Sequence, residues 1–309
     1  MKKTSWKSPL LLFLTALIWG VAFVAQSVGM DYVGGFTFNC VRCLIGSAVL
    51  VPCICFLDRW NAREKEKAGA AAVQTGTEQN GTAAVTDKVQ TKTLWMGGIC
   101  CGLALGIASN LQQFGLKYTT VGKAGFITAM YIVLVPVVGI FLKKTTGIKI
   151  WFSVALAVAG LYLLCMTEGF SIAFGDFLVL LSALFFTMHI LVIDHFSPKV
   201  DCVRMSCIQF LVSGLLSGVG MLLFEQPSLS AITAAWLPIL YAGALSCGVA
   251  YTLQIVGQKD MNPTVASLIM SLESVISLLA GWVILGQTLS IKELFGCVLM
   301  CVAIVLAQI

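Results

Sequence analysis

Apolar residues in this chain run in long uninterrupted stretches, and charged residues mark where each stretch stops. Charge-free runs cover Pro9–Met30, Thr93–Leu116, Ala124–Leu142, Ile150–Thr167, Phe177–Ile193, Met205–Phe224 and Leu294 to the last residue. Thr37–Leu57 is a further run interrupted only by Arg42, and Asn262–Leu285 one interrupted only by Glu273. Between Gln226 and Gln258 a polar, proline-containing start gives way to a span beginning near Trp236. Each run is close to the roughly 20 residues that carry an α-helix across a bilayer. The pattern therefore predicts an all-α membrane protein of ten transmembrane helices. Lys2, Lys3 and Lys7 ahead of the first run resemble the head of a signal peptide, but the run is of full spanning length with no convincing small-residue cleavage site. It reads as the first span.

Composition agrees. Of 309 residues, 59% are hydrophobic and 11% charged, whereas a soluble chain is about a quarter charged. Such a chain is solvated by lipid, which sets aside soluble enzymes, nucleic-acid binders and secreted disulfide scaffolds. The twelve cysteines lie mostly inside apolar runs, where a thiol acts as a small hydrophobe. The pair Cys40 and Cys43 flanks Arg42 without the βαβ context of a redox motif. Charge placement says more than the net +5. With a cytoplasmic N-terminus, fifteen Lys and Arg fall in inside loops, while only Lys117, Lys123 and Lys292 fall outside. That bias predicts a multi-pass protein of the cytoplasmic membrane with both termini cytoplasmic. The loop Asp58–Lys92 has a charged start, then a stretch rich in Ala, Gly, Thr and Gln over Ala68–Thr86. It predicts a disordered cytoplasmic tether, with a partner-docking segment as the alternative.

The chain is also written twice. At an offset of 142 positions, Leu103, Gly106, Ala108, Leu111, Gln112, Gly115 and Lys117 meet Leu245, Gly248, Ala250, Leu253, Gln254, Gly257 and Lys259. After one inserted residue, Ile148, Lys149 and Phe152 meet Ile291, Lys292 and Phe295. The copies divide the chain at 1–167 and 168–309, five helices each. Because five is odd, the second copy must cross the bilayer in the opposite sense, which is the inverted-repeat architecture of many secondary transporters.

Ten spans in two five-helix halves, Trp19-Gly20, Arg42 in the second span, Gly125-Phe126-Ile127-Thr128 leading to Pro136, and Ser271-Leu272-Glu273 ahead of Gly286-Gln287-Thr288 carry a family resemblance. Together they resemble the drug/metabolite transporter superfamily, specifically its EamA-like branch, over nearly the whole chain except the Asp58–Lys92 loop. The resemblance implies export or exchange of a small metabolite, often an amino acid, across the cytoplasmic membrane without ATP. Two positions depart from the family pattern: Ser274 stands where proline is usual after the glutamate, and Gly286-Gln287 where Gly-Glu is usual.

Arg42, His189 and Glu273 are the ionisable groups deepest in spans. Charged groups cost roughly 2.5–3.5 kcal/mol at a helix centre, so each must be paired, hydrated or protonated. Glu273 lies about halfway along its span and is the candidate proton carrier or amine-binding carboxylate, with interhelical glue as the alternative. Arg42 binds substrate or snorkels to the outer surface, and His189 is functional or a neutral core histidine. The polar cluster Asn110, Gln112, Gln113, Tyr251, Thr252 and Gln254 ends the repeat motifs of spans three and eight. The repeat-matched Gln112 and Gln254 line a pathway or tie helices together, and Trp19, Phe23 and Tyr131 are candidate aromatic walls. Gly98, Gly102 and Gly106 make a small-residue face on the third span, and Pro136 should kink the fourth as a passive bend or a cavity wall. No Walker motif, catalytic signature or metal-ligand spacing is present, so the expected protein is not an enzyme, holds no cofactor, and has a small solute, protons and lipid as partners. An intramembrane enzyme using His189, and a sensor or scaffold signalling through the loop, are the competing classes.

Overall fold

The computed structural model describes residues 7–73, 83–119, 121–143, 147–165, 174–259, 261–285 and 290–308. Lys2, Lys3, Lys144, Gly286, Gln287, Thr288 and the boundary between 167 and 168 lie outside the described residues. The helices are α1 (Lys7–Gly29), α2 (Gly35–Val73), α3 (Ala83–Leu116), α4 (Val121–Ala129), α5 (Tyr131–Phe141), α6 (Ile148–Cys165) and α7 (Phe174–Phe196). They continue as α8 (Cys202–Phe224), α9 (Leu229–Ala234), α10 (Trp236–Leu240), a π-helical stretch Tyr241–Ala250, α11 (Tyr251–Gln258), α12 (Pro263–Met270), α13 (Leu272–Leu285) and α14 (Ile291–Gln308). Among the described residues, seven helical stretches are long and apolar enough to span a bilayer, and Ile127–Phe141 and Ile148–Leu163 are shorter apolar helices. The fold is that of an all-helical, multi-pass membrane protein.

Large apolar side chains point outward, Leu215, Phe224 and Val283 among them, as lipid-facing surfaces require. Inside, small residues bring backbones together. The glycine face of α3 lies on α8: a Cβ at Gly98 would sit 2.5 Å from Ile208, at Gly102 2.6 Å from Val212, and at Gly106 2.9 Å from Leu216. Gly214 of α8 in turn meets Leu44 of α2. Helices α2 and α8, and α6 and α14, form two extensive pairs. Between them, α1 packs on α11 and α13, and α7 on α3, α4 and α5.

One feature differs from what composition predicts. The backbone of 58–73 and 83–92 is helical, extending α2 and α3 into the expected tether. Alanine, the strongest helix former, supplies much of that stretch, and residues 74–82 lie outside the described set. Pro136 is buried within α5. The break between α4 and α5 falls earlier, at Met130 (φ −60°, ψ −10°). A matching break separates α12 from α13 at Ser271 (φ −62°, ψ −11°), with no proline nearby. There Ser267 and Ser271 donate their hydroxyls to the carbonyls of Thr264 and Leu268, three residues back, at 2.8 and 2.7 Å. Such back-bonding competes with the helical ladder and bends it.

Polar contacts tie the helix ends. The Glu225 carboxylate, just past α8, accepts from Phe36 N–H (2.9 Å), Thr37 N–H (2.8 Å) and the Thr37 hydroxyl (2.6 Å). It thereby caps the orphan donors of the first turn of α2 with a negative charge where the helix dipole favours one. At the other end of the same pair, Arg204 bonds Asp58 at 2.7 Å with both side chains about half exposed, a contact of small energetic weight.

A test of the close α3–α8 packing is Gly102→Val, whose Cβ would meet Val212 at 2.6 Å and the Gln209 carbonyl at 2.7 Å. Overpacking of this kind costs about 1–3 kcal/mol, read as a lowered midpoint of unfolding in micelles. Gly147→Ala, with nothing within 4 Å, should leave the midpoint unchanged.

Candidate functional site

The two helix breaks flank one interior cavity. It is small, about 40 Å³, and is bounded by α1, α2, α3, α4, α5, α7, α11, α12, α13 and the π-helical stretch. Seven of the eight candidate residues from the sequence line it: Trp19, Arg42, Gln112, Tyr131, His189, Gln254 and Glu273. Tyr131 follows directly on the Met130 break, and Glu273 stands two residues after the Ser271 break. Ending a helix and starting another is what presents these groups to the interior instead of to a neighbouring ridge.

Glu273 is 6% exposed and accepts a 2.9 Å hydrogen bond from the Tyr131 hydroxyl. That bond joins α13 to α5 across the cavity and occupies one carboxylate oxygen. Gln112 donates to the Thr128 hydroxyl at 3.0 Å, joining α3 to α4. His189 is hydrogen-bonded through Nε2 to Gln209 Oε1 at 3.0 Å, and its ring meets Tyr251 edge-on with centroids 5.9 Å apart. Tyr251 also packs on Trp19, with centroids 4.4 Å apart. Among the described residues, no ion pair joins Arg42 to Glu273. A guanidinium and a carboxyl group thus line one cavity without pairing with each other. Several cavity-lining amides and the indole have atoms with no partner among the described residues: Trp19 Nε1, Gln26 Oε1 and Gln254 Oε1.

The eighth candidate, Asn110, stands behind the cavity wall. Its amide accepts from Asn39 and donates to Ser217, and Asn39 in turn accepts from Arg42. Sequence reasoning missed Asn39, Gln26, Thr128, Phe186 and Ser246. A single small polar residue on an apolar helix carries no periodic signal, and only the fold shows which face it occupies. The structural glycines Gly98, Gly102 and Gly106 and Pro136 lie away from the cavity lining. Gly286-Gln287 lies outside the described residues, but Ser274 is in place and donates to the Gly125 carbonyl at 3.4 Å, linking α13 to α4.

A wider cavity of about 490 Å³ opens at one end of the bundle, where α1, α3 and α8 end and α2 begins; Ser27, Asp31, Gln113, Lys117 and Glu225 help line it. The two cavities use adjacent residues on two helices, Gln26 and Ser27 on α1, and Gln112 and Gln113 on α3. Gln113 is fully buried, and both its amide atoms lack partners among the described residues.

Comparison with known proteins adds the family. The model described as "EamA-like transporter family" matches residues 6–166 and again 173–308. A protein of Archaeoglobus fulgidus named an uncharacterized transporter is 29% identical over 299 residues, covering 96% of this chain and 84% of that one. YoaV of Bacillus subtilis, also named an uncharacterized transporter, is 23% identical over 297 residues, covering 93% and 92%. A solved crystal structure at 19% identity shares the fold, with a TM-score of 0.74 over 99% of this chain and 97% of the other.

Tyr131→Phe tests the bond at the helix breaks. It removes the hydroxyl that donates to Glu273 and should cost about 1–3 kcal/mol of stability, the range for a hydrogen bond to a charged group or a buried acceptor left unmet. Combined with Glu273→Gln, the two losses should not add, read by unfolding in micelles.

Proposed function

The chain belongs to the EamA-like transporter family, and from that premise we propose that it is a secondary transporter exporting a small amphoteric metabolite such as an amino acid across the cytoplasmic membrane by alternating access. The carrying observation is the unpaired Arg42 and Glu273 on one cavity. A guanidinium takes a carboxylate bidentately, and a buried carboxylate takes an amine. A solute bearing both groups satisfies two charges that the protein leaves apart. Trp19, Phe23, Phe186 and Tyr251 then give its side chain an aromatic surface, while Gln112, Gln254 and His189 offer hydrogen bonds. When the solute leaves, Glu273 takes a proton, which couples export to a proton gradient.

Alternating access rests on the repeat. We take the halves 1–167 and 168–309 as inverted five-helix units, ten spans in all, and several observations support this. The family model matches twice in succession. The Met130 and Ser271 breaks have nearly the same backbone angles and sit in corresponding spans. Several packing contacts have counterparts: α1 with α13 mirrors α7 with α5, α1 with α12 mirrors α7 with α4, α1 with α11 mirrors α7 with α3, and α2 with the π-helical stretch mirrors α8 with α3. Interrupted helices in matching positions of two halves mark the binding site in inverted-repeat transporters. With both termini cytoplasmic, the wider cavity beside Asp31 and Lys117 is the outer vestibule.

Two experiments test this reading. Terminal tags should report cytoplasmic, and a tag in Glu225–Ala235 should report outside. In proteoliposomes with an imposed pH gradient, Glu273→Gln should abolish gradient-driven amino-acid flux in a folded protein. Arg42→Gln should weaken amino-acid binding about tenfold or more, the equivalent of one charge-assisted contact. Wild-type flux and pH response in both variants would reject the substrate assignment.

A further inference from the structure

A buried guanidinium is useful for recognition only if its plane is held still, and the structure shows what holds this one. Arg42 Nε–H donates to Asn39 Oδ1 at 2.8 Å, one turn earlier on α2. Asn39 Nδ2 donates to Asn110 Oδ1 of α3 at 3.0 Å. Asn110 Nδ2 donates to the Ser217 hydroxyl of α8 at 2.9 Å and to the Gly106 carbonyl at 2.7 Å. Asn39 and Ser217 are fully buried, Arg42 is 3% exposed and Asn110 8%.

We propose that Asn39 is the positioning residue for substrate recognition: through the Asn39–Asn110–Ser217 chain it fixes the Arg42 guanidinium so that its two terminal nitrogens, and not Nε, meet a carboxylate. The proposal rests on the amphoteric-solute reading above. A guanidinium is planar, with five donors in a rigid fork. Once Nε is engaged, its side-on face is spent and the end-on pair of Nη groups remains for the ligand. Both amides have their geometry set from each end, since Asn39 accepts from Arg42 while donating to Asn110, and Asn110 accepts from Asn39 while donating to Ser217. Rotating Arg42 would strand a chain of buried polar atoms, each costly to leave unmet. The chain also crosses from α2 and α3 to α8, so the orientation of Arg42 follows how those helices sit against each other. Asn39 does not line the cavity; its effect on a ligand must pass through Arg42.

The chain has four arginines, so ¹⁵Nε-arginine labelling gives a countable spectrum, with Arg42 assigned by Arg42→Lys. The Arg42 Nε–H should exchange with solvent much more slowly than those of Arg59, Arg63 and Arg204. Asn39→Ala should speed its exchange about tenfold or more, the loss of one charge-assisted hydrogen bond, with the other three unchanged. In binding to detergent-solubilised protein, the probes are 3-phenylpropanoate and phenethylamine, an acid and an amine of similar bulk. Asn39→Ala should weaken the acid about tenfold and leave the amine within about twofold, and the Asn39→Ala/Asn110→Ala double variant should be no worse than Asn39→Ala alone. If Asn39→Ala does not fold, Asn110→Ala carries the same test one bond further out, with a smaller effect of the same selectivity. Unchanged Nε–H exchange, or equal weakening of both probes, overturns the proposal. If Arg42→Gln itself leaves the acid binding unchanged, the substrate reading fails, and the exchange data still decide whether Asn39 holds Arg42.

Discussion

A guanidinium and a carboxylate stand in the interior of a bundle whose outside faces lipid, and neither uses the other as its counter-ion. Either charge alone, left in hydrocarbon, carries a penalty of a few kcal/mol on insertion scales. The surrounding structure answers each separately. Arg42 is held by a chain of amides running to α8, and Glu273 by the Tyr131 hydroxyl presented at a helix break. Had the two charges met, the bundle could close over a neutral pair and leave no polar enclosure. Keeping them apart preserves a cavity with both groups on its wall.

That separation depends on backbone geometry as much as on side chains. The breaks at Met130 and Ser271 interrupt two helices where they pass the cavity, while the glycine contacts of α3 on α8 keep the outer layers tight. The tight layers exclude lipid from the interior, and the broken helices leave room there. Serine hydroxyls turned back onto the preceding turn of α12 provide the bend on one side. Around the cavity, polar contacts of moderate strength join helix to helix: Gln112 to Thr128, and Ser274 to the Gly125 carbonyl.

Much of this was legible in the sequence, for a physical reason. In a chain with so few charges, Arg42 and Glu273 stand out because each interrupts an apolar run, and His189 does so for the same reason. Gln112 and Gln254 emerge from the repeat. Spans are legible because hydrocarbon thickness fixes their length. What could not be read is what depends on helix rotation and register. Asn39 differs in no local way from other small polar residues on apolar helices. Its importance comes only from lying between Arg42 and Asn110. The breaks were hidden as well: Met130 and Ser271 carry no helix-breaking signal of their own, and the serine back-bonding of α12 shows only in the structure. The helical 58–73 and 83–92 were hidden because a low-hydrophobicity composition masks the intrinsic preference of alanine.

The ten-residue π-helical stretch Tyr241–Ala250 immediately precedes α11, which carries Tyr251 and Gln254 to the cavity. A π-helix advances each residue through a smaller angle than an α-helix does, because its hydrogen bonds span one residue more. The azimuth of everything downstream is therefore set by how many residues the wide turns contain. Loss or gain of one residue here would swing Tyr251 and Gln254 to another face while leaving their identities intact.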